Sequence, residues 1–201
     1  MSKDDPKQMH VDILKEEVIF DEFFTVRRAY LRHEKFEGGM TEELRRYSFE
    51  KNDAVAALVY HVEKDAVLLV RQYRYPPMRH GLAWLDEVVA GGIDEGESPE
   101  LAIVREIEEE TGYRPRKCTQ VHDMYVSPGV FSERIQLFFA EVVESDRIHG
   151  GGGLDHEHED IEVVWIPANE IESHLLQGGV IDAKTIVALY AFLHRSQNKS
   201  E

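Results

Sequence analysis

Cysteine is almost absent from this sequence, since Cys118 is the only one among 201 residues. No intramolecular disulfide can form, and we expect an inert, buried thiol in a protein of the reducing cytoplasm. No apolar run approaches the roughly 20 residues that cross a bilayer, and the polar N-terminus lacks the apolar region of a secretory signal. We therefore expect neither a disulfide scaffold nor a membrane partner.

Basic residues are also scarce, with 23 Lys and Arg against 39 Asp and Glu and a formal net charge of −16. Proteins that bind a nucleic-acid backbone need a basic excess, so we expect no nucleic-acid partner. A phosphorylated small molecule remains possible if a metal ion supplies the positive charge. The length fits one domain, or one domain with an extension. A chain of this length can bury a hydrophobic core that needs no disulfide or metal ion to be stable.

The β-rich runs before residue 50 predict a small N-terminal unit, residues 1–50. Strands are expected at 13–20, 24–31 and 43–49, with a hairpin turn at Gly38 and Gly39 between the last two. Three strands with one apolar face are marginal alone. This unit should therefore pack on the rest of the chain or on a second subunit.

The remainder, residues 51–196, alternates strand and helix patterns. Strands are predicted at 54–62, 66–75, 84–90, 119–126, 135–143 and 161–166. Ser98, Pro99 and Gly112 suit the cap, first position and end of a helix. Asn169 should cap a helix of about eight residues, and Asp182 a longer one that ends near Arg195. The pattern by itself supports an α+β or α/β class.

The helix after Ser98 has an apolar and an acidic side. At about 100° per residue, Leu101, Val104 and Ile107 are predicted to pack on the core. Three carboxylates share the opposite side: Glu106, Glu109 and Glu110. A solvated face is one interpretation, because exposed like charges cost only about 0.2–0.5 kcal/mol per pair. A Mg²⁺ or Mn²⁺ site is the other, because hard cations prefer carboxylate oxygens and leave positions for phosphate.

Residues 91–113 resemble the Nudix box, G-x5-E-x7-R-E-U-x-E-E-x-G-U, where U is a bulky apolar residue. The fixed positions are filled in register by Gly91, Glu97, Arg105, Glu106, Ile107, Glu109, Glu110 and Gly112. Only the last position departs, with Tyr113 instead of an aliphatic residue. The resemblance implies an α/β/α sandwich with a mixed sheet, and a loop–helix–loop that binds a metal ion and through it a diphosphate. Arg105 is then expected to be a structural partner of the glutamates.

Most of the chain resembles the ADP-ribose pyrophosphatases, a subfamily of the nucleoside diphosphate sugar hydrolases. Pro128 follows Gly112 by 16 residues, as in that subfamily, and the sequence Arg-Gln-Tyr-Arg at 71–74 is similar to its strand end. The resemblance implies substrate-binding residues at five positions: Phe23, Arg46, Arg74, Ser127 and Glu133. The GDP-mannose hydrolases share the proline and the glycine loop, so GDP-mannose is the alternative substrate.

A glycine-rich acidic loop, residues 150–160, precedes the last predicted strand. By itself it is typical of a solvated loop, and His156 and His158 are a weak zinc signal without a nearby cysteine. Residues 155–161 nevertheless resemble the catalytic loop of the ADP-ribose pyrophosphatases. The resemblance implies Glu157 and Glu109 as catalytic carboxylates. It also implies four metal ligands, the carbonyl oxygen of Ala90 and the side chains of Glu106, Glu110 and Glu159.

These features predict an enzyme that uses Mg²⁺ or Mn²⁺ to hydrolyse a small nucleotide-sugar substrate, ADP-ribose, to AMP and ribose 5-phosphate. A sensor domain that binds the substrate without cleaving it is the alternative of another class. The complete set of box acids and the lack of a basic extension disfavour it. A homodimer is expected, because the N-terminal unit crosses to the partner subunit in the family that the chain resembles.

Overall fold

The computed structural model describes residues 9–154, 156 and 158–198. It divides the chain into two compact units. The first unit contains the described residues up to Lys51 together with Ser127–Glu133, and the second contains Asn52–Val126 and the residues from Arg134 onward. Residues 127–133, which sequence analysis includes in the second domain, thus group with the N-terminal strands.

The first unit is a three-stranded antiparallel sheet in the order β1–β2–β3. Its strands are β1 (Val11–Asp21), β2 (Thr25–His33) and β3 (Leu44–Glu50). The predicted turn between β2 and β3 is present, and Gly38 and Gly39 have φ values of 91° and 77°. Glycine reaches such angles without the steric cost that a Cβ brings.

A row of four phenylalanine rings joins residues 127–133 to this sheet. Phe20, Phe24, Phe49 and Phe131 follow one another with ring centroids 5.3, 5.6 and 5.4 Å apart. Two backbone hydrogen bonds also connect these segments. The N–H of Phe49 donates to the carbonyl of Val130 (2.7 Å), and the N–H of Ser132 donates to the carbonyl of Phe49 (3.1 Å). Each aromatic pair contributes about 0.5–1.5 kcal/mol beyond its buried area.

The second unit contains a seven-stranded mixed sheet. Its strands are β4 (Ala54–His61), β5 (Ala66–Tyr73), β6 (Trp84–Glu87), β7 (Val89–Gly92), β8 (Cys118–Met124), β9 (Ile135–Val142) and β10 (Glu162–Pro167). They run in the order β10–β5–β4–β9–β8, while β6 pairs with β5 and β7 pairs with β4. The β4–β9 pair is parallel and the other pairs are antiparallel.

Helices cover both faces of this sheet. They are α1 (Pro99–Thr111), α2 (Ile171–Leu176) and α3 (Ala183–Asn198). Alternate residues of β4 point to opposite faces: Val55, Ala57 and Val59 pack with α1, whereas Ala56 and Leu58 pack with α2 and α3. The predicted α/β/α sandwich is thereby confirmed. No helix within the described ranges is long and apolar enough to span a membrane.

Apart from shifts of one or two residues at strand ends, two of the expected elements differ in the structure. The single strand predicted at 84–90 is two strands, because the N–H of Val88 donates to Oγ1 of Thr185 (2.8 Å) on α3 instead of to the sheet. Asn169 does not cap a helix. It lies in a 3₁₀ turn, Ala168–Glu170, and α2 begins after it at Ile171 without a side-chain cap.

Candidate active site

The loop and helix of the box have the predicted caps. The Ser98 hydroxyl accepts a hydrogen bond from the N–H of Leu101 (3.3 Å), and Pro99 is the first residue of α1. Gly112 ends the helix at φ 78°, with its N–H bonded to the carbonyl of Glu108 (2.8 Å). The packing face differs from the expected one, since Leu101 is 65% exposed and the buried apolar residues are Ala102, Ile103 and Ile107.

Arg105 connects three carboxylates of the box. Its guanidinium donates to Glu97 (3.1 and 2.9 Å), to Glu106 (2.8 Å) and to Glu109 (3.2 Å). It also reaches the carbonyl of Gly92 at 3.1 Å. The hydrogen bond from Arg105 lowers the pKa of Glu97 below its ordinary value. Arg105 therefore has the structural contacts that the sequence predicts for it, and it fixes α1 to the preceding loop.

Glu106 lies directly against strand β7. A Cβ at Gly91 would overlap the Glu106 carboxylate, so only glycine allows this approach of side chain and backbone. Burial raises the pKa of Glu106 to about 7, against the opposing effect of Arg105 and with further repulsion from Glu109 and Glu159. The structure thus brings Gly91, Glu106 and Glu109 together, with Ala90 next to Gly91 on β7.

Glu110 is buried rather than solvated, with 2% of its surface exposed. This corrects the expectation that it lies opposite the packing face. Its Oε2 atom is buried and has no hydrogen-bond partner among the described residues. Burial raises its pKa well above the ordinary value, and the nearby charges of Glu106 and Glu159 add to the effect. An orphaned, desolvated carboxylate is costly unless a positive group joins it.

The glycine loop is tied to the end of α1. The N–H groups of Gly152 and Gly153 donate to the carbonyls of Glu110 (2.9 Å) and Glu109 (3.1 Å). A Cβ at Gly151 would overlap the backbone of Thr111 and Glu110. The loop is thus a C-terminal cap for α1, a role that sequence analysis does not assign to this flexible glycine stretch.

Glu159 is held beside this loop. Its Oε2 accepts the N–H of Leu154 at 3.1 Å, and a Cβ at Gly153 would overlap its side chain. Its charge acts on both Glu106 and Glu110. The predicted base Glu157 and its neighbour Asp155 lie outside the described residues.

These carboxylates fit a divalent cation. Glu106, Glu110 and Glu159 repel one another, two of them have raised pKa values, and the Oε2 of Glu110 lacks a partner among the described residues. A hard cation would neutralise all three with the oxygen ligands that it prefers. Among the described residues, no group of three Asp, Glu, His or Cys side chains is already arranged to hold a metal ion. Glu106 and Glu109 form ion pairs with Arg105.

Four of the five predicted substrate-binding residues belong to the first unit. Phe23 is 81% exposed, with the ammonium of Lys51 at 4.9 Å from its ring centre. Arg46 is exposed and donates to the carbonyl of Arg45 (3.1 Å). Ser127 accepts backbone bonds from Val130 and Phe131, and Glu133 is half-buried.

The fifth, Arg74, belongs to the second unit and is engaged with a residue that sequence analysis did not single out. Its guanidinium forms two hydrogen bonds to Glu87, at 3.0 and 2.8 Å. Glu87 is 2% exposed and also contacts Lys184 of α3 at 2.8 Å. The available signal was a pair of carboxylates, Asp86 and Glu87, between the apolar residues Leu85 and Val88, because a buried charge requires partners.

Comparisons with known proteins agree with this geometry. A family model described as the NUDIX domain matches residues 50–190. An ADP-ribose pyrophosphatase of Haemophilus influenzae is 34% identical over 203 residues, covering 96% of this chain and 93% of that protein. A GDP-mannose pyrophosphatase of Cronobacter sakazakii is 34% identical over 183 residues, covering 90% and 94%.

A solved structure shares the fold. The crystal structure of an ADP compounds hydrolase superposes with a TM-score of 0.70 and 24% identity, covering 94% of this chain and 95% of that one. Three observations lead to one assignment: the box in register, the sandwich around it and the family match over residues 50–190. This chain belongs to the Nudix family.

Proposed function

We propose that this protein hydrolyses the diphosphate bond of nucleoside diphosphate sugars with the help of Mg²⁺ or Mn²⁺, and that ADP-ribose is its preferred substrate. The observation that carries the proposal is the buried Glu110 carboxylate, whose Oε2 has no partner among the described residues while Glu106 and Glu159 act on it. Such an excess of buried negative charge suits a site that binds cations and, through them, phosphate.

Four groups would hold the cation: the carbonyl oxygen of Ala90 and the side chains of Glu106, Glu110 and Glu159. A bound divalent cation polarises a phosphoryl group and lowers the pKa of water. Arg105 keeps Glu106 and Glu109 oriented through its hydrogen bonds. Gly91 lets the β7 backbone lie against Glu106.

Hydrolysis adds one water across the diphosphate. The water oxygen forms a bond to phosphorus, the bridging P–O bond breaks, and the water proton needs an acceptor. Glu157 is the proposed acceptor, because a base should lie near the cation without being one of its ligands. Glu109 is the second catalytic carboxylate, and its hydrogen bond from Arg105 (3.2 Å) orients it beside the ligands.

Substrate recognition is assigned to a small set of groups. Arg74 and Arg46 suit the diphosphate, because a guanidinium fork binds phosphate oxygens in pairs. Phe23 is 81% exposed and offers a ring for stacking on the base. Ser127 and Glu133 supply polar groups for the sugar.

The choice between ADP-ribose and GDP-mannose is tested by a substrate panel. Purified protein is incubated with ADP-ribose, GDP-mannose or UDP-glucose in Mg²⁺, and the products are separated by anion exchange. We expect AMP and ribose 5-phosphate, with kcat/KM for ADP-ribose above that for GDP-mannose. A higher kcat/KM for GDP-mannose would reverse the preference, and binding without turnover of all three would support a sensor.

We further propose that the active species is a homodimer. The strand β1 forms one edge of its sheet and leaves six apolar side chains between 39% and 60% exposed: Val11, Ile13, Leu14, Val18, Ile19 and Phe20. A long apolar edge strand invites pairing with another chain. Light scattering at micromolar concentration should give twice the 23.2 kDa of one chain. A monomeric mass would refute the proposal.

A further inference from the structure

A buried ion network lies beside the box in the second unit. Arg74 on the segment after β5, Glu87 at the end of β6 and Lys184 on α3 share one carboxylate. The side chain of Glu87 is 3% exposed and that of Lys184 is 12% exposed. Both Arg74 and Glu87 act electrostatically on the buried Glu110. The network therefore belongs to the surroundings of the candidate active site, although Glu87 and Lys184 are outside every motif.

The N-terminus of α3 holds Lys184 in place. Asp182 accepts hydrogen bonds from the N–H and the hydroxyl of Thr185 (2.9 and 2.6 Å), and it contacts the Lys184 ammonium at 3.1 Å. Thr185 in turn accepts the N–H of Val88 at 2.8 Å. These contacts therefore hold the Lys184 ammonium against the segment that connects β6 to β7.

Glu87 has more positive charge around it than a single ion pair requires. Burial alone would raise its pKa, but Arg74 and Lys184 together lower it below the ordinary value. Arg74 has a different role if it binds substrate. Its Nε and Nη2 atoms both donate to Glu87, so this edge of the guanidinium can form a bidentate pair with a phosphate only after it leaves Glu87. A buried carboxylate left without any partner is strongly unfavourable. With Lys184 at 2.8 Å, Glu87 keeps a partner when Arg74 departs.

We propose that Lys184 is a positioning residue for substrate binding. It stays paired with Glu87, so that Arg74 can exchange that carboxylate for a phosphate oxygen of the substrate. This inference rests on the proposed function and on the role of Arg74 in it. It predicts that substrate affinity depends on a lysine that does not touch the substrate.

The test compares steady-state kinetics of the full-length protein with those of Lys184→Met. Without Lys184, Arg74 is the one cation that the described residues still place on Glu87, so the substrate must compete with a buried ion pair. KM should rise about 10- to 100-fold while kcat stays within about threefold. Lys184→Arg retains the charge and should keep KM within about threefold. Lys64→Met is the matched control, since Lys64 also pairs with a glutamate (Glu144, 2.9 Å), and it should leave both constants unchanged.

A double variant separates this role from a merely structural one. Glu87→Gln combined with Lys184→Met removes both charges, so Arg74 is no longer held by a carboxylate. KM should then fall at least about fivefold below that of Lys184→Met. A structural role predicts that the double variant is no better than the single one. If Lys184→Met does not fold by circular dichroism, Lys184→Gln takes its place with the same expected direction.

The outcomes separate the role of Lys184 from the proposed function on which it rests. If the protein cleaves no nucleoside diphosphate sugar, or if Arg74→Ala leaves KM unchanged, the proposed function or the Arg74 assignment fails and this inference fails with it. If cleavage and the Arg74→Ala effect are both observed, a KM of Lys184→Met within twofold of the wild-type value overturns the role of Lys184 alone. The same holds if the double variant shows no recovery.

Discussion

Replacing Glu106 by Gln should stabilise the metal-free protein at alkaline pH. Burial raises the pKa of Glu106 from 4.5 to about 7. At about 1.36 kcal/mol per pKa unit, this difference corresponds to about 3 kcal/mol. A raised carboxyl pKa means that the folded state binds the proton more tightly, so stability falls as the pH increases from 4.5 through 7. Glutamine carries no charge and avoids this loss.

The assay is urea unfolding of both proteins in EDTA, followed by circular dichroism at pH 5 and pH 8. At pH 8 the free energy of unfolding of Glu106→Gln should exceed that of the wild type by up to about 3 kcal/mol. At pH 5 most of this difference should be gone, because the wild-type carboxyl is then largely protonated in the folded state. Glu100→Gln, an exposed position in the first turn of α1, is the control. A variant less stable than the wild type at pH 8 would refute the reasoning.

Three further predictions concern the same site. Gly91→Ala should lower kcat/KM more than tenfold with little change in stability, because its Cβ would displace the carboxylate end of the flexible Glu106 side chain, whereas Gly92→Ala meets no atom within 4 Å and should keep kcat/KM within about threefold; equal losses of kcat/KM in the two variants would contradict this. Glu110→Gln should lower kcat about 10²- to 10⁴-fold yet raise stability in EDTA, and a variant with near-wild-type turnover would be evidence against the site. Glu157→Gln should lower kcat about 10²- to 10⁴-fold with Mg²⁺ binding intact by calorimetry, and a larger loss in His158→Ala would move the base to the histidine.

The box itself was predictable because its signals are local. Ser98, Pro99 and Gly112 set the ends of α1 within one segment, and the register of Gly91 against Glu106 is implied by a fixed spacing. The order of strands and helices supported only an α+β or α/β class, and the sandwich was implied by the resemblance to the Nudix box. Family membership and the fold were therefore available from the sequence.

Long-range contacts explain what the sequence did not predict. The break at Val88 depends on Thr185, which is 97 residues away. Periodicity placed Glu110 with the acidic side of α1, but it gives only angles about the helix axis and not what covers each side. The glycine loop covers that end of α1 through backbone bonds to Glu109 and Glu110. The grouping of residues 127–133 with the first unit likewise rests on long-range contacts of Phe49, which packs against the ring of Phe131 and forms backbone hydrogen bonds with Val130 and Ser132.

Whether the buried carboxylates of the box form the cation site for diphosphate hydrolysis is the central question. The most direct measurement is the initial rate of ADP-ribose hydrolysis against Mg²⁺ concentration, for the wild type and Glu110→Gln, starting from protein treated with EDTA. The wild-type rate should be negligible without Mg²⁺ and should saturate as Mg²⁺ is added, while Glu110→Gln should stay at least about 10²-fold slower at every concentration. Full wild-type activity in excess EDTA, or the same Mg²⁺ dependence and rate in both proteins, would contradict the account.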